Sequence, residues 1–196
     1  MHPYLANHRI ILASTSPRRR TLLEQICVKF EVIPSSFEEN LPKHSFAEPA
    51  DYVIATAMGK AAAVAAQHSD AVVIGADTVV ILGSKILEKP LDAEDAQQML
   101  TQLSGKTVNV VTAVCICSAG VRNSFYVTTE VEMAVLSHDR IARYVATGEP
   151  LDKAGSFATQ GQGAVLVEQI RGCYNNVVGL PLTRLTQELE KMLSIE

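Results

Sequence analysis

The sequence predicts an α/β protein, and two observations support this prediction. Short apolar runs rich in β-branched residues, which are typical of buried strands, recur along the chain. Between them lie segments with apolar residues at every third or fourth position, the spacing of a helix packed on a core. The 196 residues, 47% of them hydrophobic, suffice for one domain, or for a compact α/β unit with an appended lobe. We expect residues 1–196 to form a single domain.

The charge and the hydropathy of the chain exclude several classes of partner. A net charge of −4 without a long basic tract argues against nucleic acid as the main partner. No apolar run is long enough to span a bilayer, so we expect no membrane partner. Residues 1–9 are typical of neither a signal peptide nor a transit peptide, which predicts a cytoplasmic protein.

The cysteines are predicted to be core thiols rather than metal ligands. They lie in apolar surroundings, and further ligands at the spacing of a zinc site are missing. Two of them fall on a predicted strand, two residues apart, so their side chains share one face. The five histidines are scattered and suggest neither a catalytic triad nor a metal cluster. The cysteines are Cys27, Cys115, Cys117 and Cys173.

The first predicted strand, Ile10–Ala13, leads into a helix whose first turn is basic. Ser16 is a suitable N-cap, Pro17 a suitable first helical residue, and residues 18–20 are all arginine. Positive charge at a helix N-terminus costs about 0.3–1 kcal/mol per exposed charge. A phosphate bound by the hydroxyls, the backbone N–H groups and the guanidinium groups would reverse that sign. The alternative is a solvated arginine cluster, and the missing glycines exclude a P-loop.

Two further charged groups have open interpretations. After a second predicted strand, Phe30–Ile33, the adjacent acids Glu38 and Glu39 would ordinarily face solvent, but near a triphosphate one of them is a natural Mg²⁺ ligand. A long helix is predicted from Pro49 to about residue 68, and Lys60 falls on its apolar stripe. The lysine either extends along its stem to water or reaches inward to a phosphate.

An acid lies in the middle of the most apolar stretch, the predicted strand of residues 71–82. Burying an unpaired carboxylate is costly, so Asp77 must face a partner, a metal or water. A two-residue hairpin at residues 83–84 pairs Leu82 with Lys85 and, by the same count, Thr78 with Lys89. Strict alternation puts Asp77 and Lys89 on opposite faces unless a bulge or a strand end occurs near residue 75. The alternative is that Asp77 caps a turn and Lys89 is a solvated edge residue.

The remaining elements follow from caps, periodicity and glycines. The segment of residues 149–163 is polar and glycine-rich, as functional loops often are, but it lacks the third glycine of a dinucleotide fingerprint. The predicted elements around it are a helix from Asp92 to Ser104, strands Val108–Cys117 and Phe125–Val135, a helix from Ser137 to Gly148, a strand Ala164–Glu168 and a helix from Pro181 to Leu193.

Taken together, these stretches resemble the Maf family of septum-formation-type proteins, which are nucleoside triphosphate pyrophosphatases. Each stretch alone is weak evidence, but the combination keeps its order over nearly the whole chain. The matching stretches are Leu12–Arg19, Phe37–Glu39, the helix with Lys60, Gly75–Thr78, Glu88–Pro90, Leu103–Gly105, Glu149–Gly155, Gln160–Gly161 and Val178–Pro181.

The resemblance implies a reaction, a fold and a set of roles. The reaction is hydrolysis of a nucleoside triphosphate, here dTTP or UTP, to its monophosphate and pyrophosphate. The fold is an elongated mixed β-sheet flanked by helices, akin to inosine triphosphate pyrophosphatases, in a homodimer. The implied roles are Asp77 as general base and Arg18, Thr78 and Gln160 in base selection. For this reaction we expect Ser14, Ser16, Arg19, Lys60 and Lys89 to bind the phosphates, and Glu39 with Asp77 to hold Mg²⁺ or another divalent cation such as Mn²⁺.

Two alternative functions remain open from the sequence. One is a nucleotide-binding regulatory module that acts in cell division without turnover. The other is a general phosphatase of small metabolites, although no covalent nucleophile motif for that reaction is present in the sequence.

Overall fold

The computed structural model describes residues 5–26 and 29–193 of the chain. The strands are β1 (Ile10–Leu12), β2 (Glu31–Val32), β3 (Val72–Leu82), β4 (Lys85–Leu87), β5 (Thr107–Ser118), β6 (Val121–Met133) and β7 (Val167–Arg171). The helices are α1 (Pro17–Gln25), α2 (Pro49–Ala65), α3 (Ala93–Leu103), α4 (His138–Ala146), α5 (Tyr174–Val178) and α6 (Leu182–Leu193). Short 3₁₀ helices occupy Lys43–Ser45, Glu149–Asp152, Ala154–Ser156 and Gly161–Leu166. None of the helices in the described part combines the length and apolar character that crossing a membrane requires.

Within the described residues, seven strands form one mixed sheet. The order along the sheet is β2-β1-β3-β5-β6-β7, and β4 pairs with β3 as a hairpin. Strand β1 is parallel to both of its neighbours, whereas β4 and β7 are antiparallel to theirs. The predicted α/β class with a mixed sheet and helices is therefore confirmed.

The chain divides into two compact units. The first unit is drawn from residues 1–77, 112–127 and 179–196, and the second from residues 78–111 and 128–178. Strands β3, β5 and β6 each contribute residues to both units. The prediction of one domain over residues 1–196 stays a prediction.

Two glycines determine how closely the first unit packs around β3. A Cβ atom at Gly75 on β3 would lie 2.6 Å from the backbone nitrogen of Ala61, so only glycine lets α2 approach this strand. A Cβ atom at Gly59 on α2 would lie 2.4 Å from the ring of Phe37, so this aromatic residue also packs directly on the helix. These contacts bring the residues that follow each of them, Lys60 on α2 and Asp77 on β3, into the same region.

The core of the second unit is built by α3 and α4 against strand residues. Leu100 and Leu103 of α3 and Ile141 of α4 are buried with Val131 and Met133 of β6. Ser137 caps α4 by accepting a hydrogen bond from the backbone N–H of residue 140, as the sequence predicts. This packing fixes the segments that carry the polar loop of residues 149–163.

Several predicted boundaries were wrong, for local reasons. Residues 161–166 form a 3₁₀ helix instead of the start of a strand, because the Glu149 carboxylate holds backbone N–H groups there, and β7 begins at Val167. The hairpin register Leu82–Lys85 is confirmed, but the ladder ends at Val80–Leu87, short of the predicted Thr78–Lys89 pair. The backbone carbonyl of Glu88 instead accepts a hydrogen bond from the N–H of Gly155, 3.0 Å away.

The cysteine predictions are confirmed in part. The Cys115 and Cys117 side chains are buried on one face of β5, with their sulfur atoms 3.9 Å apart. Cys173 is half-buried rather than a core residue, because it lies in the loop before α5. Cys27 lies outside the described residues.

Candidate active site

Asp77 has a specific partner in the first unit, namely Lys60. The Lys60 Nζ atom lies 2.8 Å from Oδ1 of Asp77, and both side chains are 12% exposed. The same ammonium group lies 2.7 Å from Oε2 of Glu39, whose side chain is 54% exposed. Lys60 therefore reaches inward rather than to water, and Asp77 lies within a strand and does not cap a turn. The result is a cation shared by one buried and one accessible carboxylate.

Three separate segments supply this group of charges. Asp77 is held by β3 and Lys60 by α2, and the close approach at Gly75 sets the distance between them. Glu39 lies on the irregular segment that follows β2, two residues after the Phe37 ring that packs on α2. None of these residues is near another in the sequence, so the group exists only in the folded first unit.

The start of α1 has the predicted capping geometry. The Ser16 hydroxyl accepts a hydrogen bond from the backbone N–H of Arg19 over 3.4 Å, and Pro17 occupies the first helical position. The buried hydroxyl of Ser14 accepts from the Ser16 backbone N–H at 3.1 Å and from the Arg19 guanidinium at 3.3 Å. The two serines therefore organise this helix start before any ligand binds.

The three arginines of this turn have different environments. Arg19 donates a hydrogen bond from Nε to the Gly179 carbonyl, 2.9 Å away, which directs its guanidinium group into the first unit. Arg20 instead pairs with Glu24 one turn along the helix at 2.9 Å and is 64% exposed, as in a solvated cluster. Arg18 is half-buried. Only Arg20 fits the alternative of a solvated surface charge.

The electrostatics of Arg19 connect the helix start to the acidic group. Burial lowers the pKa of the Arg19 guanidinium, and the charge of Arg18 lowers it further, while the carboxylates of Asp77 and Glu39 oppose the shift. Because arginine remains charged at neutral pH, the two acids face a fixed positive charge as well as Lys60. The first unit thus concentrates hydroxyl, guanidinium, ammonium and carboxylate groups in one region.

The other predicted site residues belong to the second unit. Thr78 is half-buried on β3, and Lys89 is exposed two residues after the end of β4. Gln160 is exposed and precedes the 3₁₀ helix of residues 161–166 at its N-cap position. The carbonyl of Glu88, the neighbour of Lys89, is fixed by its hydrogen bond from Gly155. The polar loop of residues 149–163 therefore carries Gln160 and, through Gly155, holds the backbone next to Lys89.

The residues predicted to bind a metal fit that role chemically. Glu39 and Asp77 converge on one cation, the Lys60 ammonium group, so their oxygens can be shared by a single positive centre. Carboxylate oxygens are suitable ligands for Mg²⁺, which usually takes only one or two of them beside phosphate oxygens and water. In the described part of the chain, no group of three or more His, Cys, Asp or Glu side chains is arranged to hold a metal ion. Two protein ligands are therefore what this site can offer.

One organising residue was not singled out from the sequence. The Glu149 carboxylate accepts hydrogen bonds from the backbone N–H groups of Gln162 at 2.9 Å and Gly163 at 2.8 Å, and from the Tyr144 hydroxyl at 3.1 Å. The spacing of glycines at residues 161 and 163 signals a tight turn, but not which side chain binds it.

Several known proteins are similar to this chain. Residues 9–192 match the sequence model of a family described as Maf-like protein. A protein of Bacillus cytotoxicus named dTTP/UTP pyrophosphatase is 50% identical over 183 residues, which is 93% of this chain and 95% of that protein. A protein of Bacillus mycoides with the same name is 49% identical over the same shares. The solved Ham1 protein of Staphylococcus aureus aligns with 94% of this chain and 99% of its own, at 15% identity and a TM-score of 0.48.

Proposed function

This chain belongs to the Maf family, and we propose on that premise that it hydrolyses dTTP and UTP to the nucleoside monophosphate and pyrophosphate. The observation that carries the proposal is the buried Asp77 carboxylate held by Lys60 beside an arginine-bearing helix start. Relatives that share about half of the sequence over nearly its full length have the name dTTP/UTP pyrophosphatase, which supports this choice of substrate.

In the proposed reaction, Asp77 acts as the general base. Its carboxylate takes a proton from a water molecule, whose oxygen forms a bond to the α-phosphorus of the nucleotide. The bond between the α-phosphorus and the oxygen that bridges to the β-phosphorus breaks, and the electron pair leaves with pyrophosphate. Lys60, at 2.8 Å, orients the carboxylate and neutralises its charge beside an anionic substrate.

The chain itself supplies positive charge to balance the negative charge that develops on the phosphate oxygens. Guanidinium and ammonium groups stabilise the growing negative charge of the non-bridging oxygens and of the leaving pyrophosphate. The serine hydroxyls and the first N–H groups of α1 position the phosphates. The residues to which we assign these roles are Ser14, Ser16, Arg18, Arg19, Lys60 and Lys89.

The proposal includes a divalent cation held by Glu39 and Asp77. When bound, Mg²⁺ or Mn²⁺ neutralises the triphosphate and the leaving pyrophosphate. The convergence of both carboxylates on one cation supports this assignment.

Base selection is assigned to Arg18, Thr78 and Gln160. These residue types supply guanidinium, hydroxyl and amide groups, which can pair with the carbonyl oxygens and the N–H of a uracil or thymine ring. A site that hydrogen-bonds such groups rejects bases that lack them, because its own polar atoms would then be left unpaired.

The proposal also includes the oligomeric state and the location of the protein, which we expect to be a homodimer in the cytoplasm.

A substrate panel with Mg²⁺ tests the proposal directly. Pyrophosphate and orthophosphate should be measured separately with UTP, dTTP, CTP, ATP and GTP. We expect pyrophosphate from UTP and dTTP, at kcat/KM values at least about tenfold above those of the purine nucleotides. Nucleotide binding without product would favour the regulatory module, and orthophosphate as the first product would favour a general phosphatase.

A further inference from the structure

The loop that carries Gln160 is fastened by a single carboxylate in the second unit. Both oxygens of Glu149 are used: Oε2 accepts from the N–H of Gln162 at 2.9 Å, and Oε1 accepts from the N–H of Gly163 at 2.8 Å. Oε1 also accepts from the Tyr144 hydroxyl at 3.1 Å. The carboxylate therefore bridges α4 and the first turn of the 3₁₀ helix of residues 161–166.

The contact leaves room for one residue type beside the carboxylate. Gly161 has a φ of +64°, and a Cβ atom there would lie 2.6 Å from Oε2 of Glu149. Both the left-handed backbone and the short distance require glycine at this position. The backbone directly after Gln160 is thus shaped to receive the Glu149 carboxylate.

This arrangement frees the side chain of Gln160. Residues at an N-cap position ordinarily use their own side chain to bind the first N–H groups of the helix. Gln160 occupies that position but makes no side-chain capping bond, because Glu149 binds these N–H groups in its place. The Gln160 amide is exposed and remains available to a ligand.

We propose that Glu149, held by Tyr144, is the positioning residue that sets the direction of the Gln160 amide and thereby the preference for a pyrimidine base. This inference rests on the proposed function and adds a specificity-determining pair to it. Glu149 acts through the loop backbone and does not touch the substrate.

The ionisation of the pair agrees with this geometry. Burial opposes the charge of Glu149, but hydrogen bonds from Gln162, Gly163 and Tyr144 outweigh it, so the pKa of this carboxyl lies below its usual range. Burial, together with the charge of Glu149, raises the pKa of Tyr144 above its usual range. At neutral pH the acid is therefore charged and the phenol is protonated, as an acceptor and a donor must be.

The test is a double-mutant cycle with a selectivity readout. The variants are Glu149→Gln, Gln160→Ala and the double variant, with Tyr144→Phe as a milder change in case Glu149→Gln does not fold. Glu168→Gln, an exposed acid on β7, is the matched control. For each protein, kcat and KM are measured by pyrophosphate release from UTP and from ATP, and folding is checked by thermal unfolding.

We expect Glu149→Gln to raise KM for UTP and to lower the UTP-to-ATP ratio of kcat/KM by about 10- to 100-fold, because the amide is misplaced. Tyr144→Phe changes the ratio in the same direction by less, and Glu168→Gln leaves it unchanged. The double variant loses no more selectivity than Gln160→Ala alone, since both changes remove one interaction.

Two results would overturn the inference while leaving the proposed function intact. One is an equal proportional loss with UTP and ATP in Glu149→Gln, as expected for a merely structural residue. The other is a full additional loss of selectivity in the double variant. A wild-type protein that releases no pyrophosphate from any nucleotide overturns the proposed function and this inference with it.

Discussion

Two buried acids of the first unit, Asp77 and Glu188, are each paired with a lysine, yet their surroundings differ. Glu188 is 6% exposed and accepts a hydrogen bond from Nδ2 of Asn123 at 2.8 Å. Its other oxygen pairs with Lys191 at 3.0 Å and Arg184 at 2.9 Å, both on its own helix and at least half exposed. Asp77 pairs instead with a lysine that is itself only 12% exposed.

We interpret the difference as that between a structural acid, Glu188, and the acid to which we assign a catalytic role, Asp77. The cations of Glu188 keep their hydration and lie three and four residues away on α6, so this group forms with the helix and ties it to β6. Asp77 and Lys60 come from separate segments and are largely taken out of water, which costs free energy that hydrophobic residues would not. Buried charge pairs of this kind cluster at functional sites, which supports the role proposed for Asp77.

The largest expected effect is that of Asp77→Asn on turnover. Asparagine keeps the shape but cannot accept the proton, so kcat for UTP should fall about 10²- to 10⁴-fold. Lys60 keeps its contact with Glu39 in this variant, so the melting temperature should stay close to that of the wild type. The measurement is steady-state pyrophosphate release alongside thermal unfolding. Near wild-type turnover in a folded Asp77→Asn protein would remove the general-base role.

Lys60→Ala should affect both activity and stability. If Lys60 stabilises the transition state as proposed, its loss should lower kcat about 10²- to 10³-fold. Asp77 is then buried without the ammonium group 2.8 Å away, so the free energy of unfolding should also decrease. Lys191→Ala, at the exposed lysine of the Glu188 group, is the matched control and should change neither quantity greatly. Equal effects of the two lysine variants would contradict the distinction between the two acids.

Glu188→Ala should lower the stability and leave the turnover unchanged, which is the reverse of the effect expected for Asp77→Asn. The variant leaves the Asn123 amide without its acceptor, at a cost of about 1–3 kcal/mol in the free energy of unfolding. In a chain of this length, that corresponds to roughly 2–4 °C in melting temperature per kcal/mol. The kcat for UTP should be unchanged at temperatures where the variant is folded. A large loss of kcat with unchanged stability would instead indicate that Glu188 takes part in the reaction.

The smallest expected effect is a pH dependence. The hydrogen bond from Asn123, with the nearby Lys191, holds the pKa of Glu188 below its usual value of 4.5. A carboxyl whose pKa is lower in the folded state stabilises the protein above the unfolded value and loses that contribution as the pH falls through the folded one. The melting-temperature difference between wild type and Glu188→Gln should thus be full at neutral pH and shrink in acid. A constant difference down to about pH 3 would rule out this linkage.

Local features of both the fold and the site could be predicted from the sequence. The Ser16 cap, Pro17 at the start of α1 and the hairpin register depend on neighbouring residues only, and each is confirmed. The apolar run around Asp77 correctly indicated that its carboxylate needs a partner. The strand predicted from residue 164 begins only at Val167, because Glu149, thirteen residues before Gln162, binds the loop there.

Features that depend on distant contacts could not be predicted. The periodicity of α2 allowed Lys60 to face water or the interior, and the choice is made by the close packing of Ala61 against Gly75. The Asn123–Glu188 hydrogen bond joins residues 65 positions apart, and no sequence spacing indicates it. The catalytic, metal-binding and base-selecting roles of the site residues stay predictions.

The most direct test of the central claim is to follow the oxygen of water labelled with ¹⁸O during a single turnover of UTP. If the Asp77 carboxylate activates water for attack at the α-phosphorus, the label appears in UMP and not in pyrophosphate, and Asp77→Asn forms little labelled UMP. Label in pyrophosphate or in orthophosphate, or undiminished labelling of UMP by folded Asp77→Asn, would contradict the account.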